Sequence, residues 1–163
     1  MSKNLTKQDK IKKLQTNIKS AQSIFALSGI LAVVYIVRYF TTGNFNFYFS
    51  SYITEFALKS ANESIATAIT LSSTMAYAVL AVYAVLFLLC CALCLKSKIG
   101  LWACLLLHVV DYASLIAGTA LSVLGPFREE IIIDIVVHFF ILLFIVVGIY
   151  SQNKLPKVEK EAE

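Results

Sequence analysis

The chain has 163 residues, of which 59% are apolar and only 15% charged, and its formal net charge is +4. A mean hydropathy of +0.78 excludes an ordinary soluble globule. The positive charge lies mainly beside apolar segments, which points to anionic lipid as its counterpart and not to nucleic acid.

A hydrocarbon core about 30 Å thick takes roughly 20 residues of helix to cross, so the spacing of the charges decides how the chain is organised. Residues 1–20 carry Lys3, Lys7, Lys10, Lys12, Lys13 and Lys19, with Ile11, Leu14 and Ile18 at helical spacing among them. This reads as a basic amphipathic segment on the membrane surface. Between Lys19 and Arg38 come 18 uncharged residues, which predict a first transmembrane helix over about 21–40. It runs the full membrane thickness and lacks a small-residue cleavage site at its end, so it is expected to be retained and not cleaved as a signal.

The following loop is rich in aromatic rings, namely Phe45, Phe47, Tyr48, Phe49, Tyr52 and Phe56. Such rings favour the headgroup level, so the segment is expected to form an interfacial belt. Asn62, Glu63 and Ser64 match a glycosylation sequon, a short pattern that matters only in a eukaryotic secretory setting. From residue 64 to 95 no charge occurs in 32 residues, which places a second helix over about 68–95. A third, over about 100–124, is interrupted only by Asp111, and 19 uncharged residues between Asp134 and Lys154 give a fourth over about 131–150. Residues 151–163 read as a disordered tail.

The second and fourth helices have no charged face of the kind that a soluble bundle needs. The expected fold is therefore an all-α integral membrane bundle of four transmembrane helices. Eleven lysines flank the N-terminus, the connection between helices two and three, and the C-terminus; the opposite side keeps Lys59, Arg128 and Arg38. The positive-inside rule then puts both termini in the cytoplasm. Lys-, Asn- and Ile-rich polar ends fit a bacterial cytoplasmic membrane.

Four cysteines cluster where helix two passes into helix three: Cys90, Cys91, Cys94 and Cys104. At a reducing cytoplasmic face they are expected to be free, small apolar residues. Quinone-linked thiol oxidases carry a Cys-x-x-Cys in a similar bundle, but they also use a cysteine pair in an outer loop, and the outer loops here contain no cysteine.

Ionisable groups within membrane segments are costly and mark bundle interiors or ion paths. His108 and Asp111 on helix three form the candidate proton, ion or ligand site, with Ser28 and Tyr35 on helix one and Tyr83 on helix two as hydrogen-bonding neighbours. On helix four, Asp134 and His138 share a face as a secondary polar pair. Arg38 and Asp134, both near the outer end, form a candidate structural ion pair. Measured from an outer turn at Gly125–Glu130, Asp134 and His138 fall roughly 6 and 12 Å deep, Asp111 and His108 roughly 21 and 25 Å. On that reckoning the four do not meet in one site, and no metal centre is expected.

No nucleophile motif, phosphate loop or cofactor signature points to catalysis. The leading reading is an accessory or interaction subunit of a membrane complex, which binds a membrane-protein partner or a second copy of itself through small and polar residues. The alternative is an oligomeric proton- or cation-coupled transporter or channel subunit working through His108 and Asp111. An intramembrane enzyme ranks third.

Overall fold

A computed structural model describes residues 6–42, 51–62, 72–97, 99–120 and 129–160. These fold into five helices: α1 (Lys7–Thr42), α2 (Tyr52–Asn62), α3 (Ser73–Lys96), α4 (Gly100–Ala120) and α5 (Glu129–Lys160). No strand occurs among the described residues. The helices α1, α3, α4 and α5 are each long and apolar enough to cross a bilayer. Their large side chains point outward freely: Leu88 is 65% exposed and Leu106 68%. A water-facing protein rarely tolerates apolar exposure on this scale, so lipid is the solvent that suits this surface. The chain is an integral membrane protein by fold and composition.

The local sequence explains where the helices begin and end. Before α1, Thr6 and Asp9 form a capping box: the Thr6 hydroxyl and N–H both donate to Asp9 Oδ2, at 2.6 and 3.2 Å, and the Asp9 N–H donates to Thr6 Oγ1. Ser72 caps α3 by accepting the Met75 N–H. At the other end of α3, the Ser97 N–H closes on Leu93 O, and Ser97 then receives the Gly100 N–H that opens α4.

Helices α1 and α5 make the most extensive pairing and run antiparallel. Asn17 Nδ2 donates to Ser151 Oγ at 3.0 Å, one turn before Ala21 meets Gly148. A Cβ added at Gly148 would collide with that of Ala21. Gly148→Val is therefore expected to wedge the two helices apart at a cost of about 1–3 kcal/mol. Thermal unfolding in detergent should show this loss, with part of it recovered by adding Ala21→Gly.

At 36 and 32 residues, α1 and α5 are about 54 and 48 Å long, well beyond a hydrocarbon core about 30 Å thick. They project together past the α3–α4 turn at the end that carries the termini, here called the near end. Residues 7–20, expected as a separate surface segment, continue α1 without a break. Leu14 and Ile18 pack inward because they prolong the face that carries Ala21 and Phe25. Residues 151–160, expected to be disordered, are the last turns of α5. The Asn17–Ser151 bond ties this part of α5 to α1.

Two apolar clusters divide the interior. At the near end, Ala21 and Phe25 of α1, Cys94 of α3, Leu101 and Cys104 of α4, and Ile145 and Ile149 of α5 converge. Phe25 stacks on Phe87 with ring centroids 4.6 Å apart, and Gln22 Nε2 donates to Cys94 O. All four cysteines are free thiols, and Cys104 Sγ donates to Cys90 O. At the far end the cluster consists of Tyr35 and Tyr39 of α1 with Leu58 of α2.

The far cluster reveals the main departure from the sequence-based fold. Helix α2 packs against α3 and α4 and touches α1. Thr54, Ala57 and Leu58 are almost fully buried, and Tyr39 Oη donates to Leu58 O at 3.1 Å. Of the six rings expected in an interfacial belt, Phe45, Phe47, Tyr48 and Phe49 lie outside the described residues. Tyr52 is buried, and its ring occupies the space that a side chain at Gly118 would need. The polar, aromatic composition reads as a surface loop only because the buried polar groups of α2 have partners supplied by distant segments.

Candidate functional site

The site forms where the N-terminus of α2 meets the middle of α4. Ser51, just ahead of α2, accepts the Thr54 N–H on its hydroxyl oxygen at 3.4 Å and the Glu55 N–H on its carbonyl, as an N-cap residue does. The next free donor of the first turn, the Ile53 N–H, points away from α2 and donates to Asp111 Oδ1 at 3.0 Å. The Ser51 hydroxyl donates to the same oxygen at 2.7 Å. A carboxylate on α4 thus caps a helix about 60 residues earlier in the chain, where the helix dipole and the free N–H groups favour negative charge.

The second carboxylate oxygen, Asp111 Oδ2, lies 3.1 Å from His138 Nε2 on α5. The His138 ring is held on every side. Its Nδ1–H donates to Asp134 O at 2.8 Å. Its faces stack against His108, with centroids 5.3 Å apart, and Tyr112, with centroids 6.1 Å apart; both planes are within 11° of parallel. His108 Nε2–H donates in turn to the His138 carbonyl at 2.9 Å. His108, Asp111 and Tyr112 share one face of α4 at i, i+3 and i+4 spacing. On α3, buried Tyr83 faces Ser51 and Asp111. Asp111 is only 2% exposed, His138 4% and His108 6%.

The structure brings together residues that depth reckoning had kept apart. Asp111 lies nine residues before the end of α4 at Ala120, and His138 nine residues after the start of α5 at Glu129. Each is thus about 13 Å along its helix from Ala120 or Glu129. The sequence-based reckoning, counted along each helix from residues 125–130, put Asp111 roughly 21 Å deep and His138 roughly 12 Å. The 3.1 Å contact between Asp111 and His138 instead puts the two side chains level.

The other predicted residues take different places. Tyr83 joins the cluster, whereas the Ser28 hydroxyl donates to Phe25 O within its own helix. Tyr35 packs with Tyr39 and Leu58 in the far apolar cluster. Asp134 takes part through its main-chain carbonyl, which fixes the orientation of His138. Arg38 is exposed near the far end of α1.

Sequence reasoning missed Ser51, the Ile53 N–H and Tyr112. One signal was present: Ser51, Thr54 and Leu58 recur at helical spacing behind a residue type that favours N-caps. Among the described residues, no group of three or more His, Cys, Asp or Glu side chains is arranged to hold a metal ion.

The hydrogen bonds restrict where protons reside. A carbonyl can only accept, so His138 carries hydrogen on Nδ1 and His108 on Nε2. The contact between His138 Nε2 and Asp111 Oδ2 then needs one hydrogen, carried by either partner. As imidazolium–carboxylate or as imidazole–carboxylic acid, the pair is neutral overall. That neutrality lets an ionisable pair persist at this depth. Comparison of the chain with protein-family models, curated proteins and solved structures gives no match.

Proposed function

We propose that this protein is an ion-translocating membrane component, a proton- or cation-coupled transporter or channel subunit that works as an oligomer. Asp111, His138 and His108 form its ion site, and Tyr83 and Ser51 complete the polar lining. The observation that carries this reading is the buried Asp111 carboxylate, shared between the N-terminus of a short helix and a histidine on a third element. Ionisable groups inside a bundle are expensive and concentrate on ion and proton pathways. Short helices that end at mid-bundle next to such groups are the usual construction of secondary-transport sites. A purely structural bundle of this size has no need of three titratable side chains in contact.

The lysine distribution supports an orientation with both termini in the cytoplasm. An accessory role has one observation in its favour, the extension of α1 and α5 beyond the other helices, where a partner could dock. A stoichiometric partner in a detergent pull-down would support that role.

Flux into proteoliposomes tests the transport reading. Wild-type protein should carry protons or a monovalent cation down an imposed gradient. Asp111→Asn, expressed and eluting like the wild type, should reduce that flux at least tenfold. Flux in the variant equal to wild type would overturn the reading.

A further inference from the structure

The hydrogen positions carry the transport reading one step further, and the inference rests on it. Oδ1 of Asp111 faces two donors, the Ser51 hydroxyl and the Ile53 N–H, and Oδ2 faces His138 Nε2. A metal cation would have to displace these donors and would meet the positive end of α2. A proton needs no such displacement, because the Asp111–His138 contact already holds one. The other groups facing the pair are Tyr83 from α3, His108 and Tyr112 from α4, and Asp134 from α5.

The consequences of changing the proton count differ on the two sides of Asp111. If the shared proton is removed, lone pairs on Nε2 and Oδ2 confront each other and the α4–α5 contact weakens. The carboxylate still accepts from Ser51 and Ile53, so α2 stays docked. If a second proton is added while His138 keeps both of its own, the carboxyl hydrogen cannot face Nε2–H. It must sit on Oδ1, where the Ile53 N–H already points. The Ser51 hydroxyl can turn to accept it, and Oδ1 then changes from a charged acceptor to a neutral hydroxyl oxygen whose remaining lone pair holds the Ile53 N–H more weakly. We infer that the ion taken up at this site is a proton and not a metal cation, and that a second proton on the Asp111–His138 pair loosens the first turn of α2 from α4. In this step hydronium gives up a proton, leaving water, and an O–H bond forms on Asp111; the Ser51 O–H···Oδ1 hydrogen bond breaks as the hydroxyl turns to accept, and the Ile53 N–H···Oδ1 bond weakens.

Hydrogen exchange of the wild-type protein in lipid nanodiscs tests this without relying on any variant. Protection factors of the Ile53 and Thr54 amides should fall roughly ten- to a hundredfold on acidification. They should stay flat on the alkaline side and should not respond to sodium, potassium or magnesium at fixed pH. Amides in the middle of α3 serve as the control for global unfolding. In Asp111→Asn, the amide oxygen accepts from Ser51 and Ile53 and cannot be protonated in this range, so the acid fall should vanish. Protection of wild-type α2 that is flat with pH, or that changes with a metal cation at fixed pH, would overturn the inference; so would an equal acid fall in Asp111→Asn. The expected exchange profile without any flux in proteoliposomes would overturn the transport reading and support the proton assignment.

Discussion

Asp111→Ala will destabilise the bundle by about 3–5 kcal/mol, whereas Asp111→Asn will cost about 1 kcal/mol. Alanine removes the acceptor for the Ser51 hydroxyl and the Ile53 N–H and leaves His138 Nε2 without its partner, all in a buried setting. Each donor left without a partner away from water costs about 1–3 kcal/mol, far more than a satisfied hydrogen bond contributes on average. Asparagine has nearly the same shape. Its oxygen replaces Oδ1 as the acceptor, and its amide hydrogens replace the shared proton by donating to neutral His138. Thermal or denaturant unfolding of both variants in one detergent gives the comparison. Stability should separate the two substitutions even though both remove the carboxylate on which the proposed ion translocation depends.

A cycle between Asp111 and His138 should show strong coupling. His138→Phe keeps a ring between His108 and Tyr112 but leaves the Asp111 carboxylate buried with no hydrogen on its Oδ2 side. That single change is expected to cost about 3–5 kcal/mol. Combining it with Asp111→Asn removes the uncompensated charge, so the double variant should lose at least about 1 kcal/mol less than the two single losses together. Simple additivity would mean that the 3.1 Å contact contributes little to holding α4 and α5 together.

The membrane-spanning part of the fold was legible because charge spacing measures it directly. Four long runs interrupted by few charges became four long helices, with ends shifted by several residues where caps such as Ser72 set the start. The buried face of α4 was legible as well. Cys104, His108, Asp111 and Gly118 fall on one side at 100° per residue, and all four are buried.

Helix α2 was not legible for a physical reason. Thr54, Glu55, Lys59 and Ser60 give it the polarity of a loop. Its burial depends on a carboxylate from a distant segment and on Glu55 and Lys59 neutralising each other at 2.6 Å. A hydropathy profile has no access to such pairings. The level of His138 was missed for a related reason: residue counting along each helix separately does not register how two helices are offset against each other. The individual site residues Asp111, His108, His138 and Tyr83 were visible as costly or polar side chains, but their meeting point was not.

The shared proton can be observed directly by nitrogen-15 spectroscopy of labelled histidine in lipid bilayers. The account predicts that His138 keeps hydrogen on Nδ1 at every pH at which the protein is folded, and that its Nε2 resonance moves when Asp111 is replaced by Asn. A His138 that titrates as a free imidazole, with Nδ1 losing its hydrogen and Nε2 indifferent to Asp111→Asn, would contradict the paired site on which the proposed function rests.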